Sequence, residues 1–160
     1  MSRKNKPTKL RIEPDPVYQS LLVQRIINRS LKDGKKVVAQ KQVYAALELL
    51  KKEHKVEDVA ELLEQAVGNI RPRVEVRPRR IGGAVYQVPT AVRGHRQDSL
   101  AIRWLITYSR KLPNKQYHSF ALKLAAELSA ALKNEGSSVS KKNEIERMAE
   151  ANKAFAHLRW

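Results

Sequence analysis

The 160-residue chain contains no cysteine, so it can form no disulfide and offers no thiolate to a metal or a substrate. A reducing interior suits such a chain. It also lacks any apolar run of roughly 18 residues, which excludes a membrane-spanning helix. The opening MSRKNKPTKL has no apolar stretch of the kind that forms a secretory signal. Histidine is scarce as well: His54, His95, His118 and His157 stand apart, with no ligand spacing to one another or to carboxylates. No nucleophile elbow, no marked pair of carboxylates and no dinucleotide fingerprint is present. Gly34-Lys35 resembles a fragment of a phosphate-binding loop, but Arg29 stands where the upstream glycine would be needed. Nothing in the chain points to catalysis, a metal or a cofactor.

Acidic residues are the last shortage. Sixteen Asp and Glu face thirty-two Lys and Arg, for a formal charge of +16 and a pI near 10.3. Such an excess repels itself in a compact chain, which implies a polyanionic partner. Nucleic acid, an anionic membrane surface or acidic proteins would all serve. Hydrophobic residues make up 42%, enough for a core, so the chain is not a disordered polycation. The charge is unevenly distributed. Residues 1–41 hold eleven cations against three acids, and residues 71–123 twelve against two. Residues 42–70 reverse the sign, with three against six, and residues 124–160 are nearly balanced at six against five. The acidic segment, including Glu57, Asp58, Glu61 and Glu64, either faces away from the polyanion or is a solvated helix face.

The hydrophobic pattern is mostly helical, and its period predicts six helices packed around one core. Asp15-Pro16 reads as a helix start and Gly34 as a stop, placing a first helix near 17–32. A second, near 36–53, repeats Ala39, Val43, Ala46, Leu47 and Leu50. The third has the clearest stripe: Val59, Leu62, Leu63, Ala66, Val67 and Ile70. Further stripes run through Leu100, Ala101, Trp104, Leu105 and Tyr108, then Ala121, Leu124, Ala125, Leu128 and Leu132. A last helix is expected after Ser140, with Ile145, Met148, Ala149 and Asn152 along one side. All of these stripes are read as core.

Residues 72–92 depart from that period. Their alternation, with Gly82-Gly83 at the centre, is a β-hairpin pattern in which the glycines supply positive φ for a tight turn. Pro78 and Pro89 each lack a ladder donor, so the ribbon is expected to be short, edge-like or irregular. Two strands alone are marginal in water. A hairpin carrying Arg71, Arg73, Arg77, Arg79 and Arg80 is therefore read as an arm projecting from a helical domain. Arginine suits it, because the planar guanidinium bonds phosphate bidentately and stacks on bases. The bland alternative, that arginines only discourage edge-to-edge aggregation, accounts for fewer than five in ten residues.

The expected organisation is a basic flexible tail over residues 1–12, then a single helical RNA-binding domain over 13–160. The β-hairpin arm occupies about 73–90, between the third and fourth helices, so the fold class is mainly α. The tail, with Arg3, Lys4, Lys6, Lys9 and Arg11, is too polar to fold alone and suits ordering against phosphates.

Three blocks of sequence, in order, resemble one family. DPVYQSLLVQRIINRSLKDGKKVVAQKQVYAAL, RPRVEVRPRRIGGAVYQVPTAVR and KKNEIERMAEANKAFAHLRW are similar to the signature, β-arm and C-terminal helix of the small ribosomal subunit protein seven family, of bacterial and organellar type. The likeness covers about residues 11–160. The loop LPNKQYHS is a little longer than is usual in that family, and Leu158 stands where an aromatic is often found.

The resemblance implies a structural constituent of the small ribosomal subunit. Members bind the 3′ major domain of small-subunit ribosomal RNA, nucleate assembly of the subunit head and lie near the exit-site transfer RNA and the messenger RNA exit channel. Some bacterial members also bind their own messenger RNA. Neighbouring head and platform proteins are further expected partners, a membrane is not, and the location is a bacterial (cytoplasmic) or organellar ribosome. By this reading ribosomal RNA contact falls to the tail, to Arg29, Lys32, Lys35 and Lys36, to Arg96, Arg103, Arg110 and Lys111, and to Lys142, Arg147, Lys153 and Arg159. Arg77, Arg79, Arg80, Gly82, Gly83 and Tyr86 would face transfer and messenger RNA. A free-standing basic nucleic-acid-binding protein, such as a nucleoid or regulatory factor, would share the charge and the helices but not the three ordered blocks. A membrane-surface protein fits less well, because the apolar stripes are claimed by the core.

Overall fold

The computed structural model describes residues 12–56 and 58–158. Its helices are α1 (Leu21–Ser30), α2 (Lys36–His54), α3 (Val59–Ile70), α4 (Gly94–Lys111), α5 (Phe120–Leu132) and α6 (Ser137–Ala151), and a 3-10 segment follows at Lys153–Leu158. Strands β1 (Val74–Ile81) and β2 (Ala84–Ala91) lie between α3 and α4. The mainly helical class, the six helices and the place of the hairpin are as expected from the sequence.

Helix α5 is the centre of the packing. Its sequence is apolar almost all round, as a helix enclosed by others must be, and α2, α3 and α4 all lie against it. Leu124, Leu128 and Ala131 are fully buried there and meet Leu47, Leu50, Leu63, Ile70 and Leu105 in one cluster. Its two charged residues, Lys123 and Glu127, are buried but partnered. The Lys123 ammonium donates to the carbonyl of Leu112, where α4 ends, and to Asn114 Oδ1 at 2.6 Å. A cation at a helix C-terminus answers the partial negative charge of the unpaired carbonyls.

Two helix starts differ from expectation. Asp15 does not begin α1. Its Oδ2 accepts from the backbone N–H of Val17 and Tyr18, both at 3.1 Å, and its Oδ1 accepts from Tyr44 Oη at 2.7 Å. The carboxylate thus closes a local turn and ties it to α2, while Gln19 takes φ +48° and breaks the path. Helix α1 begins only at Leu21. At the other end α6 begins at Ser137, four residues before Lys141, the first position of the expected start after Ser140. The buried Glu127 caps it from the neighbouring helix, accepting from Ser138 N at 2.8 Å and Ser138 Oγ at 2.5 Å. Gly136, at φ +94°, makes the bend, and a Cβ there would sit 3.1 Å from both Ala130 Cβ and Glu127 Oε1. Of the expected α6 stripe, Ala149 is buried and Ile145 half-buried, but Met148 is 43% exposed.

The hairpin is regular, not short or irregular. Eight residues on each strand pair without a bulge, from Val74 opposite Ala91 to Ile81 opposite Ala84. Gly82 and Gly83 have φ of +56° and +91°, as a two-residue hairpin turn requires. Such a turn makes Ile81–Ala84 a hydrogen-bonded pair, and the alternation then puts Pro78–Gln87 and Val76–Pro89 at non-hydrogen-bonded pairs. Both prolines therefore sit where the ladder needs no donor, which is why the ribbon survives them.

Candidate nucleic-acid interface

The exposed cations gather where α1, α2 and α4 meet. Helix α1 runs alongside α4 in the same direction: Arg25 near its start reaches Asp98, and Ser30 at its end accepts from Arg110 Nη2 at 2.9 Å. The chain then turns tightly, with Asp33 at φ +53° and Gly34 at +73°, and Lys36 N bonds back to the Gly34 carbonyl at 2.9 Å. Lys32, Lys35 and Lys36 are all exposed on this turn. On α4, Arg96, Arg103 and Arg110 recur every seven residues, so they share one helix face, and all three are exposed. Arg110 stands 5.9 Å from the centre of the Phe120 ring, and Lys111 5.0 Å from that of Tyr108. In each case the charged group itself lies over an aromatic face, an attraction that holds it at the surface.

Part of this charge would be expected in any stable helical protein. Arg29, Arg110 and Lys111 occupy last turns, where cations favour the helix dipole. The turn lysines and Arg103 have no such role. A groove beside α1 is lined by Arg25, Asn28, Arg29, His95 and Ser99. A second, at the α1–α2 turn, is lined by Lys32, Lys35, Arg110, Asn114 and His118. Asp98 also lines the first and Asp33 the second, so each groove sets cations among acidic, amide, hydroxyl and imidazole groups, a mixture suited to phosphates with unstacked bases between them.

A second basic region lies on the hairpin and the C-terminal helices. Paired residues share a sheet face, so Glu75 and Thr90, Arg77 and Val88, and Arg79 and Tyr86 lie on one side. That side packs on α6 and the 3-10 segment. Val88 is 1% exposed, and the Tyr86 ring lies 5.4 Å from that of Phe155. The arm is therefore part of the domain as far as the Arg79–Tyr86 pair, and only the end beyond it stands free. There Arg80, Gly82, Gly83 and Val85 are exposed. Arg147 and Lys153 are exposed and Lys142 is half-buried on the helices beneath.

Arg77 and Arg96, both assigned to RNA by the sequence, are already engaged by one carboxylate. Glu75, 7% exposed, accepts from Arg77 Nε at 2.6 Å and from Arg96 Nε at 2.8 Å on each of its oxygens. Burial pushes the Glu75 carboxyl up, but the hydrogen bonds from Arg96 and Arg77 outweigh it and the net shift is downward. The same bond raises Arg96. Asp98 plays a matching part, receiving Arg25 at 2.5 Å and Arg71 at 2.8 Å. Sequence reasoning missed both carboxylates as organisers, although they are the two acids in the most basic stretch of the chain.

The acidic segment has structural duties. Asp58 caps α3 by accepting from Ala60 N at 2.8 Å, and Glu64 reaches Arg71 at 2.6 Å. Glu61 is exposed, and Glu57 lies outside the described residues. So do Arg3, Lys4, Lys6, Lys9, Arg11 and Arg159. Among the described residues no cluster of His, Asp or Glu could hold a metal ion, and no helix is long and apolar enough to cross a membrane.

The family model described as "Ribosomal protein S7p/S5e" matches residues 2–153. The chain belongs to this family. It is 51% identical over 160 residues, with both chains fully covered, to a protein of Thioalkalivibrio sulfidiphilus named small ribosomal subunit protein uS7. It is likewise 51% identical over 160 residues, again with full coverage, to the protein of the same name from Oleidesulfovibrio alaskensis. A third uS7, from Thermosipho africanus, is 50% identical over 150 residues, covering 94% of each chain. The resemblance first seen in three sequence blocks thus extends along the whole chain, and these relatives are ribosomal proteins rather than enzymes.

Proposed function

We propose that this protein is a structural constituent of the small ribosomal subunit that binds the 3′ major domain of its RNA through the α1–α2–α4 surface. The observation that carries this reading is the exposure of Arg103 and Arg110 on one face of α4 beside the three turn lysines. Phosphate contacts supply affinity and register there, while the polar groups of the two grooves meet junctions and splayed bases. The N-terminal tail adds further phosphate contacts, and the domain serves as a nucleus for assembly of the subunit head. The free end of the hairpin faces the exit-site transfer RNA and the messenger RNA path, and head and platform proteins are its neighbours. Its location is the ribosome.

Salt titration of binding to the isolated RNA domain tests the electrostatic part. With roughly six to ten phosphates neutralised, affinity should fall about a thousand-fold or more between about 50 and 200 mM salt. A binding constant that hardly moved would overturn the assignment of this surface. Cosedimentation with small subunits after a high-salt wash separates a ribosomal constituent from a free-standing nucleic-acid-binding protein.

A further inference from the structure

The arm leaves the domain at Arg71–Arg73 and returns at Val92–Arg93, and Val92 N closes its base by donating to the Arg73 carbonyl at 3.0 Å. Its packed face is held along one line by α6 and the 3-10 segment, through Val88, the Tyr86–Phe155 ring pair and the bond from Arg73 N to Glu146 Oε1 at 3.0 Å. A ribbon held along a single line can still pivot about it. Glu75 supplies a tie to a different element. Its carboxylate joins β1 to Arg96, in the first turn of α4, and so to the helix that carries the arginine repeat.

The electrostatics make this tie conditional on one residue. Arg77 on the arm and Arg96 on α4 both approach the same oxygen, Oε1 of Glu75, at 2.6 and 2.8 Å. Two guanidinium groups so placed attract the ribbon to the helix only while the carboxylate stands between them. Remove its charge and the two like charges face each other across the joint. Burial strengthens both effects, because the Glu75 side chain is 9% exposed.

We infer that Glu75 is a positioning residue: it clamps Arg96 and Arg77 together and thereby sets the direction of the hairpin relative to the cationic face of α4. The two arginines hold the arm and are not its RNA contacts. Arg80, exposed at the outer end and without a partner among the described residues, lies on the opposite face of the ribbon from Arg77. Arm and helix then meet RNA as one preorganised surface, so ordering the arm costs little on binding. That consequence rests on the function proposed above, whereas the clamp belongs to the free protein and can be tested without RNA.

The chain has no cysteine, so two introduced ones can be spin-labelled uniquely. Val85→Cys at the free end of the arm and Thr107→Cys on the exposed side of α4 report the arm's direction by pulsed electron-spin distance measurement. In the otherwise native protein the distance distribution should be narrow. Glu75→Gln, which keeps the shape and removes the charge, should at least double its width and move its mean outward. Arg96→Met, which leaves the Glu75–Arg77 pair intact but cuts the tie to α4, should widen it as well. An unchanged width in both variants overturns the clamp, and so does a change in only one, since the clamp needs both partners. Helical circular dichroism identifies a variant that has failed to fold, in which case the remaining one decides. A clamp that passes while RNA binding proves salt-insensitive would leave the positioning role standing and the functional reading refuted.

Discussion

Arg71 and Asp98 join two stretches of chain that flank the hairpin, with Nε 2.8 Å from Oδ1 at the point where α3 gives way to the arm. Asp98 also receives Arg25 from α1, so one carboxylate binds three elements together. Its side chain is 20% exposed and those of the two arginines 26% and 27%, too enclosed for water to replace the lost partner fully. Asp98→Ala should destabilise the fold by about 2 kcal/mol, lowering the melting temperature by about 4–8 °C. Glu64→Ala removes a partner of Arg71 that is 53% exposed and should cost well under about 1 kcal/mol. Thermal unfolding of the two variants side by side checks the contrast; equal losses would refute the ranking.

The stripes on α2, α3, α4 and α5 were legible because each repeats apolar residues at helical spacing, and almost every member is buried. Gly82-Gly83 was legible for a different reason, since only a turn with positive φ explains the pair between alternating strands. What the sequence hid was polar. Nothing local distinguishes a caging carboxylate from a solvated one, so Glu75, Asp98, Glu127 and Asp15 were read past or misassigned. Each depends on a partner distant in the chain: Arg96, Arg25, Ser138 and Tyr44. The one available signal was composition, for Glu75 and Asp98 are the two acids among residues 71–123. Acids retained in a stretch otherwise given over to cations are candidates for internal pairing. The same blindness makes every arginine look equally available, and so Arg77 and Arg96 were placed with Arg103 and Arg80.

Arg103 and Arg96 occupy the same face of α4 but should respond differently to removal. Arg103 is exposed with no partner among the described residues, while Arg96 is bonded to Glu75. Arg103→Ala is expected to leave the melting temperature unchanged, to weaken binding to the RNA domain at all sequences and to reduce the salt slope by about one. Arg96→Ala should chiefly loosen the arm and alter the salt slope little. Filter binding at several salt concentrations, with melting curves on the same samples, separates the two. If both changed the slope equally, the engagement of Arg96 by Glu75 would not survive RNA binding.

Acid should release the clamp in a defined direction. The Glu75 carboxyl lies below its ordinary value of 4.5 in the folded chain, so its contribution to stability is present above that value. The contribution is lost as pH falls through the depressed folded value, because the unfolded chain takes up the proton first. Urea midpoints measured from about pH 6 downward should therefore show the native protein losing part of its advantage over Glu75→Gln only below about 4.5. An advantage that stayed constant to strongly acid pH would mean that Glu75 is not held ionised by its arginines.

The outer end of the arm can be removed without touching its anchor. Because hydrogen-bonded and non-hydrogen-bonded pairs alternate, a two-residue turn can close the ribbon at Arg79–Tyr86 as well as at Ile81–Ala84. Replacing residues 80–85 by Asn-Gly, the best two-residue turn sequence, keeps Val88, the Tyr86–Phe155 contact and the Glu75 clamp. It removes Arg80, the glycine tip and exposed Val85. The shortened protein should fold with the native melting temperature and bind the isolated ribosomal RNA domain within about two-fold of the native affinity, since it loses at most one phosphate contact in about six to ten. Small subunits reconstituted with it should retain exit-site transfer RNA poorly, measured by the dissociation rate of deacylated transfer RNA. Loss of binding to the RNA domain would instead place the arm in the ribosomal RNA site and end the division between helical face and hairpin.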